Sequence, residues 1–121
     1  MRAFVTAEDT VLDILDGNHG GIGRLHFRRL IAHEEFVTPI DFVDYTVVPP
    51  GSTIGLHKHT ANEEIYLIVS GLATVTVEGE ERQLKRGSIA VVRSGQSHQL
   101  VNTGAEAVAM FVIQVRHSRS E

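Results

Sequence analysis

The sequence predicts an all-β fold, a single sandwich or barrel of short strands behind an N-terminal arm. Three observations predict it. From Arg24 onward, short stretches rich in β-branched and aromatic residues alternate with turn residues. Gly71, Gly79, Gly87, Gly95 and Gly104 punctuate the second half at roughly eight- to ten-residue intervals, the rhythm of an all-β sandwich or barrel. The chain is 121 residues long and 42% hydrophobic, enough for one soluble domain with a proper core.

The elements follow in chain order. Residues 1–23 read as an N-terminal arm or short helix with a glycine-rich connector, and residues 24–121 as one domain. Within the arm, Thr6 and Asp9 resemble a capping arrangement, and Val11, Leu12 and Leu15 share a helical face that Gly17 would end. An extended arm packed on a neighbour fits the same residues. Residues 17–23 hold four glycines, but without the Lys-Ser or Lys-Thr of a phosphate loop they read as a plain connector. Strands are predicted over residues 25–32 and 42–48, bounded by Pro39 and by Pro49-Pro50-Gly51. Further strands follow over 64–69, 73–77, 88–92, 98–101 and 108–115. Residues 73–77 alternate apolar and polar, giving one wet face, whereas 65–69 and 108–115 are apolar on both faces. A small barrel has one interior, so a doubly apolar strand predicts a second chain against its outer face, a homodimer. The charged stretch 78–86 reads as a solvated loop.

The chemistry concentrates in residues 51–71. His57 and His59 are two apart, so on a strand they project from one face, and Glu64 follows after a short polar break. Two imidazoles and a carboxylate on neighbouring strands suit a divalent first-row metal, although a solvated histidine pair at a strand end is the plainer alternative. With no cysteine, any metal must sit on histidine and carboxylate. A second stretch, residues 87–102, carries His98 just after the turn at Ser94-Gly95.

Together the two stretches resemble the cupin superfamily. Its first motif is Gly, five residues, His-x-His, three or four residues, Glu, six residues, Gly, which Gly51, His57, His59, Glu64 and Gly71 match throughout. Its second is Gly, five residues, Pro-x-Gly, two residues, His, three residues, Asn, matched by Gly87, Gly95, His98 and Asn102. The fifteen-residue spacer, 72–86, is like that of small bacterial single-domain members. The departure is Arg93 in place of proline, which puts the rigidity of the turn before His98 in question and removes no ligand. The resemblance implies a cupin-type double-stranded β-helix, a jelly-roll β-barrel. It also implies that His57, His59, Glu64 and His98 converge on one divalent transition metal per chain, whether iron, manganese, nickel, zinc or copper. Strand parity then turns Tyr66 inward with Glu64, as an aromatic core residue or as the candidate proton donor, and leaves Glu63 outside. Tyr45, Gln99 and Arg93 are weaker candidates for the barrel lining or mouth, and His19, His26, His33 and His117 read as surface residues.

Three histidines and one glutamate leave two positions of an octahedral metal open, an arrangement close to that of non-haem iron oxygenases. The resemblance therefore implies a small metal-dependent enzyme of dioxygenase, decarboxylase, isomerase or cyclase type. Its substrate would be a small polar carbonyl or enediol-like compound, held against an apolar wall of Ile68, Val75, Val77 and Leu100. The alternative is a non-catalytic binding or sensing module. No Lys or Arg falls on an assured inward position, which disfavours a phosphorylated substrate. The net charge of -4 argues against nucleic acid as a partner. Residues 1–9 lack the apolar core of a signal peptide and no run approaches membrane-spanning length, so the expected location is the cytoplasm, with no membrane partner.

Overall fold

The period-2 alternation of the predicted strands becomes two facing antiparallel sheets. A computed structural model describes residues 2–7 and 12–117. Its strands are β1 (Asp13–Asp16), β2 (Arg24–Ala32), β3 (Ile40–Val48), β4 (Thr53–Lys58), β5 (Asn62–Ser70), β6 (Ala73–Val77), β7 (Glu80–Leu84), β8 (Ile89–Val92), β9 (Ser97–Val101) and β10 (Val108–Arg116). One sheet runs β1-β2-β3-β10-β5-β8 and the other β4-β9-β6-β7. This is a jelly-roll β-barrel. Among the described residues no helix is long and apolar enough to cross a membrane.

Two regions differ from expectation. Asp13–Asp16 is a strand paired with β2, not part of a helix; Asp9 and Val11 of the expected cap and face lie outside the described residues. Its exposed side chains gain nothing from helical amphipathicity, while pairing on the β2 edge satisfies its backbone. The charged stretch after Gly79 is β7, an edge strand whose Glu80, Glu81 and Arg82 face water. Charges of this kind are how an edge avoids pairing with another chain, and they hid the strand from a hydrophobic reading.

The core lies between the sheets. Ile68, Val48, Leu100, Val108 and Met110 are each at most 1% exposed and pack with Ile54, Ala73 and Val75. Burying one such large apolar side chain is worth roughly 1.5–3 kcal/mol. Asn102, fully buried at the end of β9, fastens this end: its amide donates to the carbonyls of Val48 (2.9 Å) and Glu106 (2.8 Å), and its carbonyl accepts from Gly104 N–H.

Two bulges aim side chains inward. Ile54 pairs with Leu100 and His57 with His98, so β4 carries one residue more than β9 between these pairs. The extra residue lets Ile54 and His57 share the inner face although they are three apart. Gly55 sits in that bulge, where a Cβ would run into the His19 carbonyl. A second bulge, at Leu30, follows Arg29 on β2.

Candidate metal centre

Four side chains from three strands and one loop meet at one end of the barrel. His57 lies on β4, Glu64 on β5 and His98 on β9, with His59 just beyond β4. Their donor atoms all fall within 4.8 Å of one another. His98 Nε2 is 2.9 Å from His57 Nε2 and 2.9 Å from His59 Nε2. Glu64 Oε1 stands 3.4 Å from His59 Nε2 and 3.8 Å from His98 Nε2. Strand parity thus delivers Glu64 and Tyr66 to the interior and leaves Glu63 exposed.

The outer nitrogens explain why the inner ones converge. His57 Nδ1 is 2.9 Å from the Gly55 carbonyl, an acceptor that requires the proton on Nδ1. His59 Nδ1 makes the same donation to Asn62 Oδ1 at 2.6 Å. In their neutral forms both rings therefore present bare Nε2 lone pairs to the centre, the outer-shell arrangement that orients metal-binding histidines. Among the described residues, His98 Nδ1 is buried with no hydrogen-bond partner. Two nitrogens bound to one metal at about 2.1 Å and at right angles lie about 3.0 Å apart, close to the two 2.9 Å separations seen here. The donor set fits a divalent metal.

The electrostatics are those of a buried, mixed-charge cluster. Burial, then the neighbouring His57 and His59, lowers the His98 pKa to about 3, so its imidazole is neutral at ordinary pH. The Glu64 carboxylate holds His59 above the usual histidine range against the opposing effect of burial. Tyr66 is 2% exposed, and burial followed by the charge of Glu64 pushes its hydroxyl well above the usual phenol value. It remains a neutral O–H.

A cavity of about 490 Å³ opens from this cluster. Its metal end is His57, His59, Glu64 and Tyr66; its apolar walls are Leu25, Phe27, Phe42, Ile54 and Val112. The expected wall of Ile68, Val75, Val77 and Leu100 lies elsewhere. Three of these belong to the core and Val77 packs against it, because the alternation that turns them inward does not say at which end of the barrel they fall.

Several side chains missed in the sequence reach this cavity. Asp44 and Thr46 point in from β3, so the intervening Tyr45 points out, where it meets Phe111 with ring centroids 5.5 Å apart. The signal was an aspartate alternating with Phe42, Thr46 and Val48 on an otherwise apolar strand. Arg29 and Lys58 line the cavity, two cations that could not be assigned inward from the sequence. His19 is exposed, as expected, yet its ring also stacks on His57 with centroids 3.5 Å apart and planes 8° apart. It stands at φ 53 in a short 3-10 turn, Asn18–Gly20, and nothing in a glycine-rich connector foretells that contact. His26, His33 and His117 do not line the cavity, nor do Gln99 and Arg93.

The turn before His98 is held without proline. Arg93 N–H donates to Gln96 Oε1 at 2.8 Å, Gln96 N–H to the Arg93 carbonyl at 3.0 Å, and Gly95 N–H to the His59 carbonyl at 2.7 Å. Proline at 93 would lack the first donor. Gly95, at φ 88, takes the left-handed position that the turn requires.

Comparison with known proteins places these features in context. The cupin domain family matches residues 44–114. An oxalate-binding protein of Thermotoga maritima is 30% identical over 100 residues, 83% of each chain. A crystal structure described as a predicted oxalate decarboxylase from Thermotoga maritima superposes with a TM-score of 0.90 at 26% identity, over 93% of this chain and 98% of that one. The cupin domain of Schizosaccharomyces pombe Cnp3 shares the fold, with a TM-score of 0.77 at 18% identity over 94% and 74% of the two chains.

Proposed function

The chain belongs to the cupin family, and from that premise we propose that it is a metal-dependent enzyme acting on small oxygen-chelating acids or carbonyl compounds. One observation carries this reading. Two histidines are tied back through Nδ1, so that their Nε2 lone pairs meet that of a third beside a carboxylate. His57, His59, Glu64 and His98 would hold one divalent metal, whether iron, manganese, nickel, zinc or copper. Bound there, such a metal supplies Lewis acidity and acidifies the ligands that it coordinates.

The protein's own groups do the rest. Phe27, Phe42, Ile54 and Val112 exclude water from the cavity and strengthen charge interactions inside it. Tyr66, kept protonated by burial and by Glu64, is the hydrogen-bond donor at the metal end and the candidate catalytic residue. Its hydroxyl suits an oxygen that gains negative charge during dioxygenase, decarboxylase, isomerase or cyclase chemistry. The ligand class follows from two open positions on the metal, which a two-oxygen chelator fills, and from the relative described as oxalate-binding. That same relative favours a second reading, in which the chain binds such acids without turning them over.

Elemental analysis after incubation with each of the five metals tests the premise. The expected result is close to one metal per chain, lost in His57→Ala and kept in Glu63→Ala. A chain that stays metal-free in all five overturns it. Release of carbon dioxide or formate from oxalate, against tight binding with no turnover, separates the enzyme from the binding module. The half-buried outer residues Ile65, Leu67, Phe111 and Ile113 support a homodimer, and light scattering that shows a monomer at micromolar concentration rules it out.

A further inference from the structure

Arg29 and Asp44 sit in the wall of the cavity, away from the metal cluster. Arg29 Nε is 3.0 Å from Asp44 Oδ1 and its Nη2 is 3.2 Å from Oδ2, a two-pronged pair that occupies one edge of the guanidinium. The face of the same group lies 4.0 Å over the Phe42 ring. Asp44 is 7% exposed, whereas the Arg29 side chain is 49% exposed. The planar group is thus fixed on one edge and one face. Among the described residues, no hydrogen bond is recorded for Nη1. The edge formed by Nη1 and Nη2 has the spacing that grips a second carboxylate with two parallel hydrogen bonds. Holding an arginine by a buried carboxylate and an aromatic face fixes its pose before any ligand arrives.

Position and volume say what kind of ligand could use it. Arg29 pairs with Asp44, Asp44 with Val112 and Val112 with Tyr66, a single row across four neighbouring strands. Three strand spacings amount to about 14 Å along the curved sheet from Arg29 to Tyr66, and to less across the cavity. A ligand held at Tyr66 and Glu64 therefore reaches Arg29 only if a chain extends beyond its chelating atoms. The cavity of about 490 Å³ is in the range that takes ligands far larger than a two-carbon diacid.

We infer that Arg29 is a specificity-determining residue and that the ligand is a chelating acid with a second carboxylate several carbons away, such as a 2-oxo dicarboxylate. This rests on the chelation reading proposed above and names the substrate class for that site. Phe42 and Asp44 are the positioning residues for Arg29. Lys58 also lines the cavity and is the rival cation.

The test is calorimetric and independent of turnover. Manganese-loaded protein is titrated with oxalate, with 2-oxobutanoate and with 2-oxopentanedioate. The five-carbon diacid should bind wild type at least about tenfold more tightly than the monoacid, one charge-assisted pair's worth of affinity. Arg29→Gln should bring the diacid to the level of the monoacid and leave oxalate within about twofold, which also shows that the variant is folded and metal-loaded. If Arg29→Gln alone fails to melt cooperatively, Arg29→Gln/Asp44→Asn removes the unpaired carboxylate as well and carries the same expectation. Equal binding of monoacid and diacid to wild type overturns the inference. So does a preference that survives Arg29→Gln and disappears in Lys58→Gln. Failure of all three acids, oxalate included, to bind the metal-loaded protein overturns the chelation reading itself.

Discussion

The two ends of the barrel are made from the same strands and hold opposite chemistry. On β5 the inward residues run Glu64, Tyr66, Ile68; on β9, His98, Leu100; on β3, Asp44, Thr46, Val48; on β10, Gln114, Val112, Met110, Val108. On β5, β9 and β3 the polar or ionisable members fall toward the metal end and the aliphatic ones toward the closed end, while on β10 Gln114 and Val112 line the cavity and Met110 and Val108 belong to the core. One end gives up stability to gather histidine, carboxylate and phenol in a small space. At the other end the buried Asn102 has its amide fully used, and the buried Ser52 lies beside it. Stability and chemistry are thus divided along the barrel axis, which lets the metal end carry a buried, unpartnered His98 Nδ1 without unfolding the chain.

A pair of substitutions, one at each end, breaks this comparison most directly. His98→Ala should remove metal-linked stabilisation, on the order of 4 kcal/mol when the metal is about a thousandfold above its Kd. In metal-free protein it should cost less than Met110→Ala, because the removal of a buried unsatisfied group offsets part of the cavity left by the ring. Met110→Ala, fully buried at the closed end, should instead cost about 2–5 kcal/mol with metal affinity unaltered. Denaturant melts with and without metal check both, and equal losses in the two variants under both conditions would mean that the ends are not separable.

A smaller effect sharpens the description of the metal end. Asn62→Ala removes the acceptor that fixes the His59 ring and should weaken metal binding about 10- to 100-fold. Competition with a chromophoric chelator measures this; unchanged affinity would show that packing alone orients His59.

The smallest effect concerns pH. Burial raises the Asp44 carboxyl above its usual range, with the Arg29 pairing pulling the other way. The folded chain therefore keeps this proton to higher pH than the unfolded chain. The associated stability is fully present below the ordinary carboxylate value of about 3.9 and is lost as pH rises through the raised one. Asp44→Asn in metal-free protein should accordingly gain stability relative to wild type between about pH 3 and pH 7. A relative loss over that window would show that the pairing with Arg29 outweighs burial.

What the sequence determined by itself was local and periodic. Alternation along each strand sets which side chains share a face, so once the resemblance turned Glu64 and His98 inward, parity took Tyr66 with Glu64 and left Glu63 outside. The two motif spacings carried the resemblance to cupins, and it was that resemblance that implied one set of His57, His59, Glu64 and His98. Tertiary structure alone decided the rest. The bulge at Gly55 turns His57 toward His98, and the bulge at Leu30 follows an Arg29 aimed into the cavity. Stacking of His19 on His57, the paired edge of β7, and the end of the barrel at which Leu100 falls all depend on registers between strands distant in the chain. A period of two says which face a side chain takes. Where along the barrel it lies, and what stands across from it, follows from backbone hydrogen bonds to a strand that the local pattern does not mention.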